Sequence, residues 1–420
     1  MTGTSARARW GNEDGAIVVH VALALFALTL MSAFVIDYGV QLLGRSETQN
    51  VADAAALAGA TALAYDDYGD RTAGGAAEAA AKAVAARNAV WDGTAAVDVV
   101  ADVSCADSWV WGRSAPPRLA CIEVTASRDT AHGNPLPTYI AQLMGIRNSN
   151  INATAIGEAE DANSTDCLRP IAIPDRWQEN YPAAAAWSGT SQFDRYDPMT
   201  GMLLPLNARD SYTAPDGLDA GTGMTMSDQF GVEVTLSAGS ISTPVTTIKS
   251  WQYLPIQIPG SQWGADAVRN NTASCASSST TKAPVSIGTR VHFATGDPVS
   301  DASLIASALR DLINRDPGAV WDAANHRVSA SCADALPACA SISPRIIAIG
   351  LYDPDDLAAA AYGGAPTGVL LQNFIGFFVE SVNGTDITGR IVRHPGQIDT
   401  NTLYPLYDDS SFLRASMLVQ

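Results

Sequence analysis

Residues 16–35, AIVVHVALALFALTLMSAFV, run without a turn signal into residues 36–65, IDYGVQLLGRSETQNVADAAALAGATALAY, and this stretch decides the fold. The first part carries no Lys, Arg, Asp or Glu. About 20 mostly apolar residues cross a bilayer as a helix. The second part is polar and alanine-rich but keeps a helical reading, so one unbroken helix would be roughly 75 Å long at about 1.5 Å per residue. Half of that length would lie in lipid and half would stand above it.

Charge sets the expected orientation. Arg7 and Arg9 precede the span, and basic residues favour the cytoplasmic side. We therefore expect residues 1–15 in the cytoplasm, a transmembrane helix over 16–36 and the bulk of the chain outside a bacterial cytoplasmic (inner) membrane. A secretory signal has an apolar region of about 7–15 residues followed by a small-x-small cleavage site. This span is longer, and Ala33-Phe34-Val35 does not fit such a site, so the segment reads as a retained anchor. His20 lies within the span, close enough to its N-terminal end to stay neutral or reach the headgroups.

The 420 residues carry 43 acidic and 25 basic side chains, a net charge of −18. That balance offers no basic patch for nucleic acid and favours solubility. Six cysteines, Cys105, Cys121, Cys167, Cys275, Cys332 and Cys339, all follow the apolar span, and none forms a CxxC pair. An even count beyond a membrane fits an oxidising compartment. Cys332 and Cys339 are the candidate disulfide, closing a small loop around Leu336-Pro337; the other pairings stay open.

Beyond Tyr65 the chain changes texture. Residues 66–74 read as a linker and Ala76–Val90 as a second helix. Strands follow at VDVVADVSC and RLACIEVTAS, a short helix over Pro137–Ile146, and a third strand over Asn152–Glu160. These make a small α+β domain over 66–162, mounted on an extended alanine-rich helix, 37–65. From 163 to 420 the composition shifts to Gly, Ser, Thr and short apolar strands. Within this β-rich domain SDASLIASALRDLINRDP reads as one amphipathic helix, with Ser300 as its cap and Leu304, Ile305, Ala308, Leu309 and Leu312 on one face. The fold class is α+β.

The motifs of catalysis are missing. No HExxH, GxSxG or phosphate-cradling GxxxxGK[ST] occurs, and no small-molecule substrate, cofactor or metal is indicated. Asp194-Arg195-Tyr196-Asp197 and Asp353-Pro354-Asp355-Asp356 gather carboxylates without calcium-loop spacing, and read as solvated turns. The most distinctive constellation is steric. In QNVADAAALAGA, Ala52, Ala56, Gly59 and Ala60 place small residues on helix faces where another helix can approach closely. Asp53 is the charge among them, and Gly44 is a candidate flexure point. These five residues are the expected partner-helix contact, and Ala56→Leu is expected to weaken that contact without unfolding the distal domain.

The same stretch resembles the N-terminal segment of TadG-like proteins of the Flp/Tad pilus assembly group (TadE, TadF and TadG). Gly15, Ile36-Asp37-Tyr38-Gly39 and Gln49–Ala60 carry the resemblance; CLRPIAIPDRW, SPRIIAIGLYDP and IGFFVESVNGTDITGRIV extend it more loosely. It implies a non-enzymatic, membrane-anchored component of pilus assembly with pseudopilin-like partners. Five residues after Gly15, where a processed type IV pilin has Glu, stands His20, which argues against prepilin cleavage. A function of another class also fits the sequence: an adhesin-like binding module, tethered by the anchor and unrelated to pilus assembly.

Overall fold

The structure, a computed structural model, describes residues 14–65, 75–103, 121–239, 248–261, 264–274, 284–294, 298–324, 326–329, 343–364, 366–402 and 408–419. The expected features at Arg7, Arg9, the 66–74 linker, Cys332 and Cys339 lie outside the described residues.

Helix α1 runs unbroken over Asp14–Tyr65. Along its lower part Val18, Val19, Leu25, Leu28, Met31 and Phe34 are all exposed, and together they go round every side of the helix. A helix that is apolar all round and has no protein cover has the character of a membrane span; within α1 an 18-residue window without protein cover is apolar enough to be a candidate span by length and composition.

The remaining elements follow in order. Helix α2 covers Ala76–Ala85, then come β1 (Ala96–Val103), β2 (Cys121–Arg128) and β3 (Ile151–Asp161). Next are β4 (Leu168–Pro174), α3 (Met226–Gln229), β5 (Glu233–Ala238) and β6 (Gln252–Pro255). Helix α4 (Ala265–Ala273), β7 (Arg290–His292), α5 (Pro298–Arg315) and β8 (Ile346–Tyr352) continue the chain. Helix α6 (Pro354–Gly363), β9 (Gly368–Asn383), β10 (Asp386–Val392), β11 (His394–Pro395) and β12 (Leu413–Val419) close it. Helix and strand together make an α+β protein.

Two sheets organise these elements. Among the described residues the first has the order β11-β12-β3-β2-β1, and the second has the order β7-β9-β8-β4-β6-β5-β10. Strand β10 pairs with β5 on one side and with β9 on the other, so the second sheet closes on itself. Its strands are buried on both faces. Ile347, Ile349, Leu351, Ile375 and Phe377 pack with Ile305, Leu309 and Leu312 of α5. Leu168, Ala172, Leu254, Tyr352 and Phe374 pack on the other face with Leu357 and Ala358 of α6. Double burial is why IIAIGLY and NFIGFFV read as continuous apolar runs rather than alternating ones.

Several expectations need correction. Pro137–Ile146 is not an α-helix: Leu136–Pro137 is strand, and only Ala141–Met144 coils, as one 3-10 turn. Ser300 lies inside α5, which begins at Pro298, so it is not the cap. The distal body holds α3, α4 and α6 besides the amphipathic helix. Asp353 is a helix cap rather than a solvated turn, since its carboxylate accepts from Asp355 N at 2.8 Å and Asp356 N at 2.9 Å ahead of Pro354. Proline at the first helical position with acids in the first turn is the sequence signal that identifies it.

The two sheets are joined by the end of the chain. Strand β3 ends at Asp161, beside the boundary expected at residue 162. The unit expected over 163–420 nevertheless returns its last strand to the first sheet: β12 pairs antiparallel with β3 from Arg414↔Asp161 to Val419↔Ile156. Arg414 and Asp161 form a buried ion pair at the start of that ladder.

Candidate functional site at the foot and shaft of the long helix

The shaft of α1 above the bare span is covered by its own chain. Val51, Ala52, Ala55, Ala56, Ala60, Leu63 and Ala64 are buried against α2 and the first sheet. The sheet side of this contact is small as well. Ala153, Ala155 and Ala159 face the helix, and a Cβ on Gly157 would strike the Ala56 carbonyl. A small helix face laid on a small strand face brings two backbones close, as small residues do between helices. Gly59 lies in the same contact, where a side chain would collide with Ile122.

The face expected to meet a partner helix, at Ala52, Ala56, Gly59 and Ala60, is covered inside the molecule, by α2 and strand β3 together. The physical reason is that small residues specify close approach, not the identity of what approaches. Asp53 points elsewhere: half-exposed, it accepts a hydrogen bond from Gln49 Nε2 at 2.7 Å on the outer side of α1. Leu57, 39 % exposed, lies one turn above it. Gly44 is no flexure point. It is buried within the unbroken helix, and a Cβ there would meet Leu136 Cδ1 at 2.6 Å.

At the foot of the shaft, where the apolar span ends, Asp37 ties the body down. Its carboxylate accepts from Tyr139 N at 2.7 Å, Ile140 N at 3.1 Å and Ala141 N at 2.6 Å, capping the 3-10 turn. Burial pushes the Asp37 carboxyl up, but these three N–H donors outweigh it and hold it below the ordinary carboxylate range. Gln41 donates to Ser149 one turn higher. Tyr38 stacks on Phe34 with ring centroids 5.8 Å apart. Trp91 Nε1 donates to the Tyr139 hydroxyl at 3.0 Å, and the two rings meet edge to face. Trp and Tyr gather where helices leave a bilayer. A groove of about 390 Å³ opens here between Leu30, Phe34 and Tyr38 of the helix and Leu136, Thr138 and Ile146 of the loop.

The carboxylate-rich turns organise loops. Asp197 accepts from Met199 N at 2.8 Å and Thr200 N at 2.9 Å. Buried Asp210 accepts from Asn180 N at 2.6 Å, Tyr181 N at 3.0 Å and Asp194 N at 2.7 Å. Cys121 and Cys167 are both disulfide-bonded.

Residues 15–62 match the family model described as putative Flp pilus-assembly TadE/G-like. The match is nearly coextensive with α1. A comparison with curated proteins and one with solved structures gave no match. The matched segment and the bare apolar helix fit a membrane-anchored component of Flp/Tad pilus assembly.

Proposed function

We propose that this chain is a non-enzymatic assembly protein of a Tad-type pilus, anchored once in the cytoplasmic membrane with its N-terminus inside and its two-sheet body outside. One observation carries this: the segment that matches the pilus-assembly family is a single helix whose inner face is used by its own body, while its lower half and outer face are left bare. Bare helix in a bilayer associates through packing and small or polar contacts. The proposed partner is a pseudopilin-like helix of the TadE or TadF type. It would lie along the span, pass the groove beside Phe34 and Tyr38, and continue along the outer face at Gln49, Asp53 and Leu57.

Site-specific photocrosslinking in piliated cells tests this. A crosslinker at Leu28, Asp53 or Leu57 is expected to capture a small pilin-like membrane protein, and one at Ala52 is expected to give only intramolecular products. Full piliation after deletion of the gene would sink the proposal.

A binding role for the distal body has its own support. A cleft of about 510 Å³ beside Trp177 and Trp187 is edged by Gln178, Glu179, Arg176 and Asp228. Trp187 stacks edge to face between Trp177 and Trp251, with centroids 5.8 Å and 5.2 Å away. Deletion mutants that keep their pili but lose surface attachment would favour this tethered-adhesin function over the assembly role.

A further inference from the structure

In a protein of net charge −18, one cleft of the distal body sets two arginines, Arg169 and Arg315, against a single rim carboxylate, Asp166. The cleft encloses about 530 Å³ and is lined by Arg169 of β4, Ala273 and Ser274 at the end of α4, Arg315 at the end of α5, and His394 of β11. Arg169 is only 4 % exposed. Its guanidinium donates once, from Nη1 to Asn271 O at 3.2 Å, and its Nε, buried, has no acceptor. Among the described residues no carboxylate pairs with it. Arg315, exposed at the cleft, donates to Ala273 O at 3.1 Å.

These two bonds to the last carbonyls of α4 give a structural role to two of the ten N–H donors that a pair of guanidinium groups carries. They do not neutralise either charge. Isolated burial of a charge is costly, and buried charges in proteins are paired. Here the charge environment works the other way. Burial and the neighbouring Arg315 pull the Arg169 guanidinium down to about 10, and burial holds His394 near 4, so the imidazole is neutral at physiological pH. Asp166, the carboxylate at the rim, is exposed and takes its hydrogen bond from Gln397 Nε2 at 3.0 Å. Arg169, with its buried Nε unpartnered behind it, and the exposed Arg315 thus line one solvent-open cleft.

We propose that this cleft binds a phosphate-bearing ligand, with Arg169 at its floor and Arg315 at its mouth supplying the guanidinium donors. Arginine forks match the oxygen geometry of phosphate and are less hydrated than lysine, which suits a buried anion site. The doubly charged phosphate answers two cations where a carboxylate answers one. The site is independent of the pilus role and stands or falls separately from it.

The test is calorimetric titration of the detergent-solubilised full chain with inorganic phosphate and, separately, with glycerol 3-phosphate, at constant ionic strength held with chloride. Saturable binding of either is expected, and the tighter of the two identifies the source as free phosphate or a phosphoester. Arg315→Gln, at an exposed position, is expected to weaken binding at least tenfold while leaving the melting temperature in phosphate-free buffer unchanged. Arg169→Met is expected to abolish binding and to melt no lower than the parent in that buffer, because it removes an unpaired buried charge. Heat signals that do not saturate, binding unaffected by Arg315→Gln, or an Arg169→Met variant that melts several degrees lower would overturn the proposal; the last result would assign Arg169 to helix capping alone.

Discussion

The helix-mounted sheet and the closed distal sheet bury their cores by opposite means. Around α1 the contact is made of alanine and glycine: Ala52, Ala56 and Ala60 against Ala153, Ala155, Gly157 and Ala159. In the distal body it is made of bulk, with Phe374, Phe377, Phe378, Ile347 and Leu351 buried completely. The first arrangement gains backbone proximity and little apolar area. The second gains area, at about 25 cal/mol per Å². A region held by closeness is harmed by adding atoms, and a region held by area is harmed by removing them.

That asymmetry is open to direct attack. The largest effect is expected from Phe377→Ala, which empties a fully buried site in the closed sheet and should cost about 3–5 kcal/mol in thermal or denaturant unfolding. Amide exchange should accelerate across residues 346–392 and leave residues 44–64 near their parent rates. Equal acceleration in both regions would mean that the two bodies unfold as one and would break the contrast.

Acid should act at the seam between them. His394 on β11 is buried beside Arg169, and its Nδ1 lies 2.7 Å from the Pro395 carbonyl. Burial first, with Arg169 adding to it, lowers its pKa to about 4. The folded state therefore binds fewer protons than the unfolded chain, where the ordinary value is about 6.5. This contribution is fully present above pH ~6.5 and falls as pH drops toward 4, for a loss of roughly 2–3 kcal/mol. His394→Gln should flatten the stability profile over that window; a profile unchanged by the substitution would exclude His394 as its source.

Enlarging the small face comes next. Gly157→Val forces a side chain into the Ala56 carbonyl, and Ala56→Leu overfills the same contact; overpacking costs about 1–3 kcal/mol. Exchange should rise in residues 44–64 and 151–161 first. To the expectation drawn from sequence, that Ala56→Leu weakens a partner contact without unfolding the distal domain, the burial of Ala56 adds a loss of packing in the small module itself. Asp37→Asn removes the charge from the cap on the 3-10 turn and should cost about 1 kcal/mol, read as faster exchange at residues 139–141. Because the Asp37 carboxyl is held below its ordinary range, its contribution is present above the unfolded value and lost as pH falls through the folded one. The smallest effect belongs to Lys82→Ala. It breaks an exposed ion pair with Glu78, four residues earlier on α2, and exposed pairs of this kind are worth about 0.3–0.5 kcal/mol.

The long helix, strands β1 to β3 and the amphipathic face of α5 were legible because each rests on a local period. Leu304, Ile305, Ala308, Leu309 and Leu312 need only 3.6-residue spacing to declare themselves, and all but Leu304 are fully buried. The small face of α1 was legible as a contact, but its occupant was not, because the complementary row at 153, 155, 157 and 159 lies about a hundred residues away. That row is visible in the sequence as small residues alternating along a strand, and pairing the two small faces would have predicted the packing. Asp37 could be read as part of a motif, yet its three N–H partners come from a turn that propensity alone makes a helix. The cationic cleft could not be read at all. Arg169, Arg315 and His394 are neighbours only after the second sheet has closed.

The return of β12 to the first sheet has a consequence for the order of events during biogenesis. Arg414 meets Asp161 across 253 residues of chain. In the proposed orientation, a chain threaded outward from its membrane helix presents β3 long before β12 follows. Throughout that interval one edge of β3 lacks its neighbour, and an unpaired edge is a template for any passing strand. The module nearest the membrane is thus the first to emerge and the last to finish. Its completion reports that the whole distal body has been delivered, and the transient edge marks a defined interval in which a chaperone or a companion subunit could hold the unfinished sheet.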